Sequence, residues 1–123
     1  MNKSAARITD VVETLEFEIS PQQVKRLLEN GEPVFLVDVR RPEEHRICQI
    51  PGAELIPMDT IPRHLDRLEE LAESATLIVF CHHGVRSANV VHWLRGQGVP
   101  SCQSMAGGID RWSTDVDTAV PRY

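Results

Sequence analysis

Apolar positions along the chain follow two alternating patterns. "PVFLVDV" (33–39) and "TLIVF" (76–80) are near-unbroken apolar runs of strand length, the mark of strands buried on both faces. Other stretches repeat apolar residues every three or four positions: Val24, Leu27 and Leu28 in "SPQQVKRLLENG"; Ile61, Leu65, Leu68 and Leu71 in "MDTIPRHLDRLEELAES"; Val90, Val91 and Leu94 in "GVRSANVVHWLRGQG". Each predicts a helix with one inward stripe. Ser20 is placed to cap the first of these, with Pro21 in its first turn and Gly31 closing it. Pro62 stands early enough in the second to be tolerated. The third should end near Gly96 or Gly98.

Shorter signals fill the gaps. "FEIS" and "PSCQSM" predict brief strands, "RPEEHRIC" and "GIDRWS" short helices, and "IPGAELIP" a turn followed by a brief strand. Strand and helix alternate throughout. The expected class is therefore α/β, a mostly parallel central sheet with helices on both faces. In such sheets ligands sit at the carboxyl ends of strands.

Composition sets bounds on this picture. The 123 residues are 41% hydrophobic and 25% charged, enough for one domain with a closed core. No repeat or long linker divides the chain. Residues 1–16 are polar and mixed and read as an N-terminal arm, leaving 17–123 as the single domain. A net charge of −5 argues against nucleic acid or an anionic membrane as the main partner, since both demand a clustered basic surface. No apolar run approaches the roughly 20 residues of a membrane span. The start "MNKSAARITD" lacks a hydrophobic signal core, so a cytoplasmic location is expected. Cys48, Cys81 and Cys102 include no CxxC pair, which argues against a disulfide framework. Each is by default a small buried hydrophobe.

Cys81 departs from that default because of what surrounds it. It ends the most apolar strand and is followed by His82, His83, Gly84, Val85, Arg86 and Ser87, with a helix starting near Val85 or Arg86. A loop that curls into a helix start leaves backbone N–H groups without carbonyl partners, and the helix dipole adds positive potential there. Gly84 permits the tight curl. Such a cradle favours negative charge on a sulfur and equally suits a persulfide. Arg86 adds a fixed charge and a fork of donors able to grip an oxyanion. Ser87 brings a hydroxyl. His82 and His83 flank the mouth, with side chains expected to point outward.

At this point the chain resembles the rhodanese-like domain family of sulfurtransferases, from about Phe17 to Tyr123. "FLVDVRRPEEH" followed by "IPGAELIP" is similar to the first family signature, "CHHGVRS" to its active loop and "MAGGIDRWS" to its closing segment. The ending "DVDTAVPRY" is similar to tails of bacterial rhodanese-like modules, including those attached to sulfur-carrier-activating enzymes. The resemblance implies a rhodanese-like three-layer fold and a sulfurtransferase of the thiosulfate sulfurtransferase type without a cofactor. Cys81 would take a sulfane sulfur from a small donor, thiosulfate or a low-molecular-weight or protein persulfide. As a persulfide it would pass that sulfur to a thiophilic acceptor, a sulfur-carrier protein among the candidates. The backbone of His82 to Ser87 would hold the persulfide. Asp38 is implied as a structural neighbour. Arg40 has two readings, a contact to an anionic donor and a structural ion pair. Pro51, Gly52 and Ala53 match a structural turn.

The match is not complete. Some thiosulfate-using relatives carry lysine where this chain has His83, and arginine where it has Glu44. Both differences remove positive charge where a small dianion would bind, so thiosulfate is expected to be a poor donor. Cys48 stands where the signature usually has glycine, and reads as a buried filler rather than a resolving thiol.

Three rival readings fit parts of this pattern. Phosphatases and arsenate reductases of this architecture have five residues between Cys and Arg; here four intervene, a ring sized for sulfur. Metal binding by Cys81, His82 and His83 is disfavoured because neighbours on a tight turn rarely converge on one ion. A non-catalytic module of the family typically lacks the cysteine that this chain keeps, while a redox-sensing role for a reactive thiol stays open. His45, His64 and His92 read as solvated, and Trp93 and Trp112 as packing residues.

Overall fold

A computed structural model of the chain describes residues 15–123. The proposed N-terminal arm, apart from Leu15 and Glu16, lies outside the described residues. Five strands, β1 (Glu18–Ile19), β2 (Val34–Asp38), β3 (Glu54–Leu55), β4 (Thr76–Phe80) and β5 (Cys102–Met105), form one sheet in the order β1-β5-β4-β2-β3. Every pairing is parallel. The two apolar runs become the adjacent central strands β2 and β4, paired Val34 to Thr76 through Asp38 to Phe80.

Residues of β4, with Cys81 just beyond its end, alternate between two hydrophobic cores. Leu77, Val79 and Cys81 join Leu68, Val90, Val91 and Leu94 on one face, beneath α3 (Leu65–Ala72) and α4 (Val85–Gly96). Ile78 and Phe80 join Val24, Ile109 and Trp112 on the other, beneath α1 (Pro21–Glu29) and α5 (Gly108–Asp115). A strand with helices on both sides must be apolar at every position, which is why "TLIVF" shows no alternation.

The caps follow their sequence signals. Ser20 accepts from the Gln23 N–H while the Gln23 side chain accepts from Ser20, a reciprocal capping box ahead of Pro21. Asn30 caps α1, and Gly31 follows in the left-handed region at φ 71°. "RPEEHRIC" yields α2 (Pro42–Ile47).

Two expectations are corrected. Leu28 is not on the inward stripe of α1: it is 41% exposed, whereas Val24 is fully buried. The stretch 58–74 is not one helix. Met58–His64 is a 3₁₀ segment holding Pro62, and the α-helix starts only at Leu65. A proline lacks the N–H that an α-helical ladder needs, so the chain reaches regular helix only beyond it.

Candidate active site

The site lies where β4 ends and α4 begins. Gly84 turns the chain at φ 107°, and a Cβ there would press on the Gly107 nitrogen at 3.3 Å. This curl aims two amides at one sulfur: Gly84 N–H donates to Cys81 Sγ at 3.1 Å and Ser87 N–H at 3.4 Å. Both belong to the start of α4, whose first N–H groups have no intrahelical acceptor. The thiol is 1% exposed and belongs to the core on its face of the sheet.

The Ser87 hydroxyl sits below the sulfur, not at the mouth. It lies 3.6 Å from Cys81 Sγ, 3.2 Å from the Gly84 carbonyl to which it donates, and 2.8 Å from Ser104 Oγ on β5. Ser87 and Ser104 are both fully buried.

The other side of the loop is fixed by α5. Ile109 N–H donates to the Cys81 carbonyl at 2.9 Å and Asp110 N–H to the His82 carbonyl at 3.1 Å. The loop carbonyls are therefore taken up by α5 while amides face the sulfur. Gly108, at φ 62°, makes this possible, because a Cβ there would overlap the carbonyls of Cys81 and His82.

The two arginines are both held by acids. Arg40, proposed to bind substrate, is 0% exposed. Its guanidinium donates to both Asp38 oxygens at 2.9 and 2.7 Å, to the Cys48 carbonyl at 2.7 Å and to Tyr123 Oη at 3.0 Å. This is the ion-pair reading of Arg40, with Asp38 as its buried partner. Removed from solvent, Arg40 offers no surface to a donor.

Arg86 is not a free fork. Its Nη1 and Nη2 donate to the two oxygens of Glu44 at 2.7 and 3.0 Å. Glu44 also accepts from Arg41 N–H at 3.1 Å and from Tyr123 Oη–H at 2.9 Å, so its carboxylate receives four donors. The Arg86 pair, foremost, holds the Glu44 carboxyl down to about 2, outweighing the burial that opposes it. Burial pushes the Tyr123 phenol up to about 12, which keeps its proton available for Glu44.

The histidines separate. His83 projects outward, with 62% of its side chain exposed and Nδ1 4.0 Å from Asp110. His82, expected outward, is half-buried and stacked on the Tyr123 ring at a centroid distance of 3.8 Å and 7° between planes. Burial, and then the neighbouring His83, shift it away from protonation. Val85, at the start of α4, is 71% exposed. Beside it a groove is lined by Val39, Arg41, Pro57, Met58, Asp59 and Arg86.

Elsewhere, His45 and His64 are half-buried rather than solvated, the latter bonded through Nδ1 to the Thr60 carbonyl at 2.9 Å. His92 is exposed. Cys48 and Cys102 are buried free thiols, and Trp112 packs in the core beneath α1 and α5. Sequence reasoning missed Tyr123 and Gly108 as site residues, and took Glu44 only as a missing positive charge. The double glycine before "IDRWS" was the available signal for Gly108; nothing local marks Tyr123.

Comparison with known proteins bears on the fold and the family. Residues 20–115 match the family model described as "Rhodanese-like domain". The chain is 32% identical over 113 residues to the adenylyltransferase and sulfurtransferase UBA4 of Candida albicans, covering 88% of this chain and 26% of that one. It thus spans about a quarter of the length of such curated relatives. The crystal structure of a rhodanese-like domain protein from Staphylococcus aureus superposes with a TM-score of 0.73 at 34% identity, covering 88% and 99% of the two chains. A thiosulfate sulfurtransferase from Pseudomonas aeruginosa gives a TM-score of 0.70 at 25% identity, over 79% of this chain and 18% of that one. With the all-parallel five-stranded sheet and the cysteine loop at the carboxyl end of its central strand, the chain belongs to the rhodanese-like domain family, whose relatives include sulfurtransferases.

Proposed function

We propose that the protein is a sulfurtransferase that carries a sulfane sulfur on Cys81. One observation supports this above the others: the Gly84 and Ser87 amides converge on Cys81 Sγ. N–H groups aimed at one atom favour negative charge on it. The amides of Val85 and Arg86, also in the first turn of α4, have no intrahelical acceptor and suit the outer sulfur of a persulfide.

The chemistry balances without a cofactor. The Cys81 thiolate attacks the outer sulfur of a persulfide donor RS–SH, forming the Cys81 S–S bond and breaking the donor's. The electron pair leaves on RS⁻, which takes the proton from the transferred sulfur, giving Cys81–S–S⁻ and RSH. With thiosulfate the same attack releases sulfite with the bonding pair. A thiophilic acceptor, a small thiol or a carrier protein, then attacks the outer sulfur and regenerates the Cys81 thiolate.

Cys81→Ser tests the proposal. Steady-state transfer with thiosulfate, glutathione persulfide and mercaptopyruvate, side by side, should fall to background in this variant with circular dichroism unchanged. Normal turnover by Cys81→Ser would end the scheme.

A further inference from the structure

We infer that Glu44, positioned by Tyr123, selects the sulfur donor, admitting thiol persulfides, whose sulfur end carries at most one negative charge, and turning away compact dianionic donors of the thiosulfate class. The inference rests on Cys81 as sulfur carrier and adds a specificity-determining residue to that site. It comes from counting charges at the mouth. From Cys81 to Ser87 the loop has one permanent cation, Arg86, and both of its terminal nitrogens are bound to Glu44. Arg40, behind it, is paired with Asp38, Arg122 with Asp110 at 2.9 Å, and the exposed Arg41 of the neighbouring groove lies 4.0 Å from Glu43. Among these groups every cation at the site faces an acid.

A dianion meeting this surface has two routes to Arg86, both unfavourable. It can share the guanidinium with a carboxylate at close range, two like charges around one cation. Or it can evict Glu44, which then loses the Arg41, Arg86 and Tyr123 donors together. A thiol persulfide makes no such demand, because its organic body can lie along the groove of Val39, Pro57 and Met58. Its sulfur needs only the loop amides.

Tyr123 is the positioning residue. Its hydroxyl donates to Glu44 Oε2 and accepts from the buried Arg40, while its ring lies flat on His82. The carboxylate is thereby held in place by a further donor on Oε2, the oxygen that Arg86 Nη2 also meets.

The test compares the rates at which thiosulfate and glutathione persulfide place a sulfur on Cys81. Removing the charge in Glu44→Gln should raise the thiosulfate-to-persulfide ratio of kcat/KM about tenfold, the scale of one charge-assisted contact. The gain should appear in the half-saturating thiosulfate concentration, not in the limiting rate. Tyr123→Phe keeps the ring stack and should move the ratio the same way by about threefold. An unchanged or lower ratio overturns the inference, and Tyr123→Phe decides alone if Glu44→Gln fails to fold. A binding arm needs no transfer: sulfate should bind the double variant Cys81→Ser, Glu44→Gln about tenfold more tightly than Cys81→Ser. Equal sulfate binding also overturns it. Failure of both donors to load wild-type Cys81 would instead sink the sulfur-transfer proposal, with the sulfate titration still judging the charge argument.

Discussion

Glu44 shows how one side chain can link three distant segments. Its carboxylate receives the backbone of Arg41, the guanidinium of Arg86 and the phenol of Tyr123. Because these contacts favour the ionised form, its folded pKa of about 2 lies below the ordinary 4.5. A depressed acid contributes stability that is present above its unfolded pKa and lost as pH falls through the folded one. Wild type should therefore lose urea resistance between about pH 4.5 and pH 2 through this group, and Glu44→Gln should lose less over that window. Equal losses in the two proteins would remove Glu44 from the acid response. At this scale Cys81 and its loop were legible, since a strand end, a glycine and a helix start are neighbours in sequence. The occupation of Arg86 by Glu44 was not, because the partners are 42 residues apart and only the fold brings them together.

Among the elements, the start of α5 matters as much as the start of α4. The first turn of α4 supplies amides to the sulfur, and that of α5 ties back the loop carbonyls. Gly108 is the hinge of this arrangement. Gly108→Ala combines a positive φ with overlap onto the Cys81 and His82 carbonyls, and should cost about 3 kcal/mol of stability. It should also reduce transfer in the fraction that folds. A chemical-denaturation shift below about 1 kcal/mol would contradict the close approach. Periodicity placed α4, and the short signal "GIDRWS" placed α5, but neither reported this contact, since apolar spacing reports the buried face and not the end. Periodicity also overran at Pro62: Ile61 and Leu68 do face one core, yet the chain between them changes from 3₁₀ to α geometry.

Across the whole molecule, the sheet order explains why the tail reaches the site. β4 stands at the centre, so the loop after it opens between the loop after β2, which carries Arg40, and α5 beyond β5. The chain leaving α5 returns over that opening, burying Val120 in the core and laying Tyr123 on His82. The alternation of apolar runs and helical stripes was enough to read the α/β class, because burial on both faces forces that pattern. The path of the tail was not readable, because its contacts with Arg40 and Glu44 span about 80 residues and leave no local signature. The fold also leaves three buried thiols in unlike settings. Cys48 and Cys102 are core residues, burial raising the latter's pKa, while Cys81 alone has the two loop amides on its sulfur. Mass spectrometry with peptide mapping after incubation with glutathione persulfide is the most direct test of that difference. The account predicts one added sulfur, located on Cys81; no added sulfur, or its location on Cys48 or Cys102, would contradict it.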